Sequence, residues 1–210
     1  MEHYVKLDWN IDLAPHADAL INRPSEWGPK SNPITRSELF AIVPALGELN
    51  SILATRDLII SYPSVMSIQP GTYGTLHVDG LLPEEVYDFK FNIPILNGDK
   101  MTTRWYDLRG LPYDKIDWNF DRANLSEADL WFLANPDLLV NEHCVESLLL
   151  DGPCLFNSGS PHNVDGRHSQ VTRTILGMNI KHISTNHFMR WAERQLVIDS
   201  VNELKQIHPK

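Results

Sequence analysis

Residues 57–80 read DLIISYPSVMSIQPGTYGTLHVDG, and this stretch decides the fold class. An amphipathic helix repeats its apolar positions every three to four residues over ten or more. Here the apolar runs are short and rich in β-branched residues. They cover 57–62, 65–69 and 74–78, broken by proline and by the turn Gln69-Pro70-Gly71. Such runs read as strands. The pattern continues at 88–95, 102–107, 154–157 and 172–179, with Asn97-Gly98-Asp99 as another turn. Many short strands with Gly and Pro between them indicate a sandwich or barrel. The expectation is a mainly-β (α+β) chain, a jelly roll with helices on its outside.

Upstream the period changes. Thr35-Arg-Ser-Glu38 is a capping box, and Leu39, Ile42, Val43, Leu46, Leu49, Ile52 and Leu53 follow at helical spacing. One amphipathic helix is expected over 36–55. Residues 1–32 are Pro-rich and read as irregular, with Trp27 as a packing anchor. A short helix is expected over 124–134. A C-terminal helix is expected from Asn186, carrying Phe188, Trp191, Ile198, Val201 and Leu204. The whole chain, 1–210, reads as one domain, with its core at about 57–180 and helical additions at 33–55 and 186–207.

Charge and cysteine content narrow the function classes. The net charge of -9 repels phosphate backbones, and no Lys/Arg cluster offsets it, so nucleic acid is not an expected partner. The opening MEHYVKLDWNIDL lacks a basic region followed by an apolar run, so no signal peptide is expected. No apolar run approaches the ~18 residues of a membrane span. A soluble, cytoplasmic protein follows as an expectation. Cys144 and Cys154 form no CxxC pair and are expected to be free packing residues rather than a disulfide or thiolate site. Gly71, Gly74 and Gly80 do not form a phosphate loop, because neither Lys-Ser/Thr nor a helix follows. No G-x-S-x-G elbow is present.

The His-x-Asp pairs carry more. With 9 histidines, and 27 acidic residues in 210, roughly one such pair arises by chance. The chain has two. His16 and Asp18 lie where a helix begins after Pro15, and residues two apart on a helix diverge. His77 and Asp79 lie on an expected strand, where residues two apart share a face. A third ligand is needed. His162 follows Pro161, and Arg173 comes eleven positions later (173 − 162 = 11) on a strand-like run. Two histidines and one carboxylate with open positions make the facial triad of non-haem Fe(II) oxygenases.

His77-Val78-Asp79, then Phe156-Asn157 and Pro161-His162-Asn163-Val164, then Arg173, resembles the Fe(II)/2-oxoglutarate-dependent oxygenase superfamily. The distal block is most similar to its aspartyl/asparaginyl β-hydroxylase-like members. The resemblance spans about 57–180 and implies a double-stranded β-helix, the cupin-like jelly roll. It implies that His77, Asp79 and His162 hold Fe(II). Arg173 would grip the distal carboxylate of 2-oxoglutarate, a task its two-pronged fork suits. Some members of that group have glycine at the carboxylate position, whereas Asp79 keeps the full triad here. His168 is a rival distal ligand, but it leaves Arg173 only five residues away, so His162 is preferred. The activity implied is hydroxylation of a peptide side chain or small molecule by O2, with succinate and CO2 as co-products.

Asn92 and Tyr73 are expected to line the cavity and contact 2-oxoglutarate. Arg104 and Tyr106 share a strand face and are candidates for substrate binding. The long connection 107–153 is expected to cover the cavity mouth. Taken singly, each of these residues has an ordinary structural explanation. Two other readings stand beside the oxygenase: a cupin-like metalloprotein that does not use 2-oxoglutarate, and a non-enzymatic β-sandwich binding or structural module.

Overall fold

The computed structural model describes residues 2–23, 31–79, 88–111, 131, 134–140 and 142–208. The strands are β1 (Tyr4–Lys6), β2 (Ser31–Pro33), β3 (Leu58–Ile68), β4 (Lys90–Leu96), β5 (Thr102–Tyr106), β6 (Cys144–Leu149), β7 (Cys154–Phe156), β8 (His162–Asp165) and β9 (Arg173–His182). They form a six-stranded sheet ordered β1-β7-β4-β9-β3-β2 and a three-stranded sheet ordered β6-β5-β8. All pairings are antiparallel. Residues 72–79 extend the smaller sheet beyond β8 through bridges Tyr73 to Asp165 and His77 to His162. From β3 onward the chain therefore visits the larger sheet, the smaller, the larger, the smaller twice, then larger, smaller and larger. That winding is the jelly roll, or double-stranded β-helix.

The helices are α1 (Ala17–Ile21), α2 (Arg36–Ile42), α3 (Pro44–Ala54) and α4 (Gln195–Ile207). The capping box forms as expected: Glu38 N donates to Thr35 Oγ1, and Thr35 N donates to Glu38 Oε2. The expected single helix over 36–55 is two. Val43 leaves helical geometry (φ -127°, ψ 81°) because Pro44 crowds the residue before it and has no N–H to give. At the C-terminus, Phe188 and Trp191 precede the helix rather than lying on it. Phe188 bridges to Lys181, Trp191 opens a 3-10 turn, and α4 starts only at Gln195.

Alternation along the strands separates two apolar layers. Leu176, Met178 and Ile180 of β9 and Phe91, Ile93 and Ile95 of β4 face the helices, meeting Leu46, Leu49 and Leu53 of α3 and Val197, Val201 and Leu204 of α4. The other face of the same strands looks across to the smaller sheet. A one-residue bulge in β3, between Ser61 and Ser64, keeps this order. Leu58 and Ile60 precede it and Val65 follows it, yet all three reach the helical layer. Tyr62, in the bulge, takes the left-handed conformation (φ 44°).

Two apolar runs expected apart, 57–62 and 65–69, are thus one strand. β1, β2, β6 and β8 were not expected. β6 lies inside the connection expected to be a loop, and its register with β5 is complete from Thr102–Leu149 to Arg104–Ser147. Trp27 and most of the helix expected over 124–134 fall outside the described residues. Both cysteines are free, Cys154 buried and Cys144 partly so. Among the described residues no helix is long and apolar enough to cross a membrane.

Phe91 lies at the heart of the helical layer: it is fully buried, beside Trp9. Phe91→Ala is expected to lower stability by about 3–5 kcal/mol, read as a fall in the urea midpoint with an unchanged slope.

Candidate metal centre and anion pocket

His77 and His162 are brought together by main-chain hydrogen bonds. His77 N donates to His162 O at 3.0 Å, and His162 N donates to His77 O at 2.8 Å. A directly opposed pair projects its side chains to the same face, and the two rings lie 4.5 Å apart between centroids. Asp79, two residues beyond His77, shares that face, and its N donates to Ser158 O at 2.9 Å.

A second bulge aims the pair inward. Between the bridges at Tyr73–Asp165 and His77–His162 one strand advances four residues (77 − 73) and the other three (165 − 162). The extra residue reverses the face. Thr72 and Gly74 look into the cavity, Leu76 looks out into a cluster with Tyr106, Leu108 and Leu139, and His77 and Asp79 look in again. Bulges commonly re-aim side chains in this way beside functional sites. Regular alternation from Gly74 would have put Leu76 in the cavity and His77 outside it.

Each imidazole is locked. His77 Nδ1 lies 2.8 Å from Thr75 O, and His162 Nδ1 lies 2.9 Å from Ser160 O. A carbonyl only accepts, so each Nδ1 carries a proton, which leaves Nε2 as the atom of each ring that can serve as a ligand in the cavity. His162 Nε2 is 3.8 Å from Asp79 Oδ2. One ligand atom from each of the three residues lies within 4.8 Å of the others. Donors at about 2.1 Å from one ion would stand closer together than this, so modest side-chain movement completes such a centre. Burial, with His77 beside it, lowers the His162 pKa to about 4, which keeps the ring neutral and able to ligate. For Asp79, burial raises the pKa, but Lys90 and the two imidazoles outweigh it and hold the carboxyl at about 2. The donor set fits a divalent transition metal with open positions.

The cavity encloses about 440 Å³ between the sheets. At its other end stands Arg173, the first residue of β9, only 1% exposed. Its Nη1 donates to Thr103 Oγ1 at 3.2 Å, while its Nε has no partner among the described residues. Burial lowers its pKa to about 10, so it is still a cation at neutral pH. A buried cation without a counter-charge is costly, and this one, with none among the described residues, lines the cavity. Asn92 Oδ1 is also buried without a partner. Asn92 reaches the cavity because Gly177 opposite has no side chain; a Cβ there would lie 3.0 Å from Asn92 Oδ1. Met66, Ile68, Phe156, Val164 and Ile175 supply apolar wall.

Not every expected residue lies here. Arg104 and Tyr106 alternate with Thr103 and Trp105 on β5, and it is Thr103 that faces the cavity. Arg104 and Tyr106 point to the outer side of the smaller sheet. There Arg104 pairs with Asp165 at 2.8 Å and Tyr106 donates to Asn163 Oδ1 at 3.0 Å. Tyr73 is outside too, donating to Asp137 Oδ1 beneath the Arg167 guanidinium. The strand alternation that brings Thr72 and Gly74 in turns Tyr73 out. His168 is exposed in the turn after β8, and His16 lies in a 3-10 turn; neither joins the cluster. Of the connection 107–153, described parts pack on the outer face of the smaller sheet, form β6, or, at Leu150, join the apolar cluster of Trp105 and Phe156; none of them lines the cavity. Among the cavity residues that went unread in the sequence are Lys90 and Thr103. The signal for Lys90 was available, since it lies two residues before Asn92 on the same strand face.

No family model matches the chain, and no curated protein matches it. Among solved structures it is similar to HygX from Streptomyces hygroscopicus with nickel and 2-oxoglutarate bound (10% identity, 85% of this chain and 82% of that one, TM-score 0.45). It is also similar to SnoK, a non-heme alpha ketoglutarate dependent carbocyclase from nogalamycin biosynthesis (12%, 86% and 82%, TM-score 0.49). A third is the apo form of the non-heme monooxygenase ThoJ (10%, 99% and 97%, TM-score 0.48). At such identities and overlaps, the chemistry of the site rests on its own residues.

The buried neutral imidazole sets a pH dependence in the metal-free protein. The unfolded chain takes up a proton at His162 near pH 6.5, the folded chain only near 4. Between these values the unfolded state binds more protons, so stability falls as pH drops from 6.5 to 4, by no more than about 3 kcal/mol. Asp79 adds a further loss as pH falls from 3.8 towards 2. Urea midpoints measured from pH 7.5 to 4.5 are expected to decline more steeply in the parent protein than in His162→Gln.

Proposed function

We propose that the protein is an Fe(II)- and 2-oxoglutarate-dependent oxygenase that hydroxylates a peptide side chain or small molecule, with O2 consumed and succinate and CO2 released. One observation carries this reading. A single cavity holds two imidazoles and a carboxylate converging at one end and, at the other, a buried guanidinium that has no carboxylate partner among the described residues.

His77, Asp79 and His162 would hold the metal through two neutral Nε2 atoms and one carboxylate oxygen, the set that suits Fe(II) with open positions. Iron, when bound, supplies oxygen activation coupled to loss of CO2 from 2-oxoglutarate. Arg173 receives the far carboxylate, with Thr103 holding the guanidinium in place. The Asn92 amide, turned over, offers Nδ2 to the same anion. The apolar wall of Met66, Ile68, Phe156, Val164 and Ile175 lowers the polarity around these charged contacts, which strengthens them. Within the superfamily, the order His-x-Asp, Pro-His-x-Val and Arg favours the aspartyl/asparaginyl β-hydroxylase-like group. A metalloprotein that does not use 2-oxoglutarate has no need of Arg173, and a purely structural β-sandwich has no need of either end of the cavity.

Anaerobic addition of Fe(II) and then 2-oxoglutarate is expected to produce the visible metal-to-ligand charge-transfer band of the chelate. Arg173→Ala is expected to raise the 2-oxoglutarate concentration needed for half the band by at least about tenfold. Iron binding without the band would favour the metalloprotein that does not use 2-oxoglutarate; no iron binding would favour the binding module. Once a substrate is found, His77→Ala and Asp79→Ala are each expected to abolish turnover with the fold intact by circular dichroism.

A further inference from the structure

Each imidazole of the cluster has an orienting partner, the carbonyl of Thr75 or of Ser160. The carboxylate has one as well, and it comes from the opposite sheet. Lys90, the first residue of β4, points into the cavity on the same face as Asn92, and its ammonium lies 2.9 Å from Asp79 Oδ2. Asp79 lies on the segment that extends the smaller sheet, so the pair spans the cavity. Both side chains are less than a quarter exposed. Among the described residues, no backbone donor fixes the Asp79 carboxylate as the carbonyls fix the rings.

We propose that Lys90 is a positioning residue for the metal centre. It holds Asp79 Oδ2, the oxygen that also lies 3.8 Å from His162 Nε2, and so fixes the carboxylate beside the imidazoles. This rests on the reading of His77, Asp79 and His162 as metal ligands. Two opposite effects of the ammonium make the proposal testable. As a plain positive charge it repels a dication, and its removal would tighten metal binding. As the group that orients Asp79 it assists binding, and its removal weakens it. Partners that orient metal ligands commonly contribute 10–100-fold to affinity.

The test is Ni(II) affinity, measured by titration calorimetry on the full chain without 2-oxoglutarate. The parent protein is compared with Lys90→Met, Lys90→Arg and Lys90→Gln, with His77→Ala as the control for the site. Lys90→Met is expected to bind Ni(II) about 10–100-fold more weakly, and Lys90→Arg to recover most of that loss. Equal or tighter binding by Lys90→Met overturns the proposal and leaves the metal centre standing. If Lys90→Met fails to fold, Lys90→Gln, uncharged and one atom shorter, decides in the same way: weaker binding supports positioning, and equal or tighter binding overturns it. Absence of Ni(II) binding in the parent, or parent-like binding in His77→Ala, removes the metal centre itself and the proposal with it.

Discussion

The reciprocal main-chain pair between His77 and His162 is the interaction on which the site depends. It attaches residues 72–79 to the free edge of β8, and so extends the smaller sheet by an irregular bridged segment, where the sequence reading expected a strand over 74–78. It also places two imidazoles directly opposite one another on one face. The bulge just before it selects which face. Regular pleating through Thr75 and Leu76 would leave the histidines on the outer side, with Leu76 in the cavity. The cost of one irregular step is offset by the apolar cluster that Leu76 joins with Tyr106, Leu108 and Leu139. Packing on the outside of the sheet thus helps to aim the groups inside it.

The cavity is electrostatically divided. At one end Lys90 pairs with Asp79 beside the two imidazoles; at the other, among the described residues, a hydroxyl is the hydrogen-bond partner of Arg173. Both cations come from the larger sheet, while all three candidate ligands come from the smaller one. The outward faces of the same strands settle their charges separately, in the ion pairs of Asp165 with Arg104 and Arg167. A strand is only one residue thick, yet alternation keeps the two networks apart. Charges needed for structure are balanced outside. Of those facing the cavity, Lys90 is paired with Asp79, while Arg173 has no carboxylate partner among the described residues.

Much of the fold was legible because the strand period is local. The runs at 88–95, 102–107, 154–157 and 172–179 coincide with β4, β5, β7 and β9 to within two or three residues. The capping box at Thr35 was equally local and formed as read. The break at Val43 was legible too, through Pro44, but the unbroken apolar spacing on either side concealed it. β6 and β8 were missed for a different reason. Val145, Ser147 and Leu149 look outward on an edge strand, and β8 is four residues long, so neither presents a run that stands out before its partner is known.

The sequence by itself determined which residues could act: a His-x-Asp pair on a strand, a histidine after a proline, and an arginine at the start of an apolar run. It also determined that they lie on short strands, since pleating and turn chemistry are decided within a few residues. Only the tertiary structure decided which side of the sheet each one serves. Tyr73, Arg104 and Tyr106 had the same claim on the cavity by residue type as Asn92 and Arg173, and they lie on the other face. Lys90, unremarked in the chain, faces Asp79 across it. The reason is that a side chain's face is set by register and by bulges, and both are properties of pairing between strands far apart in sequence.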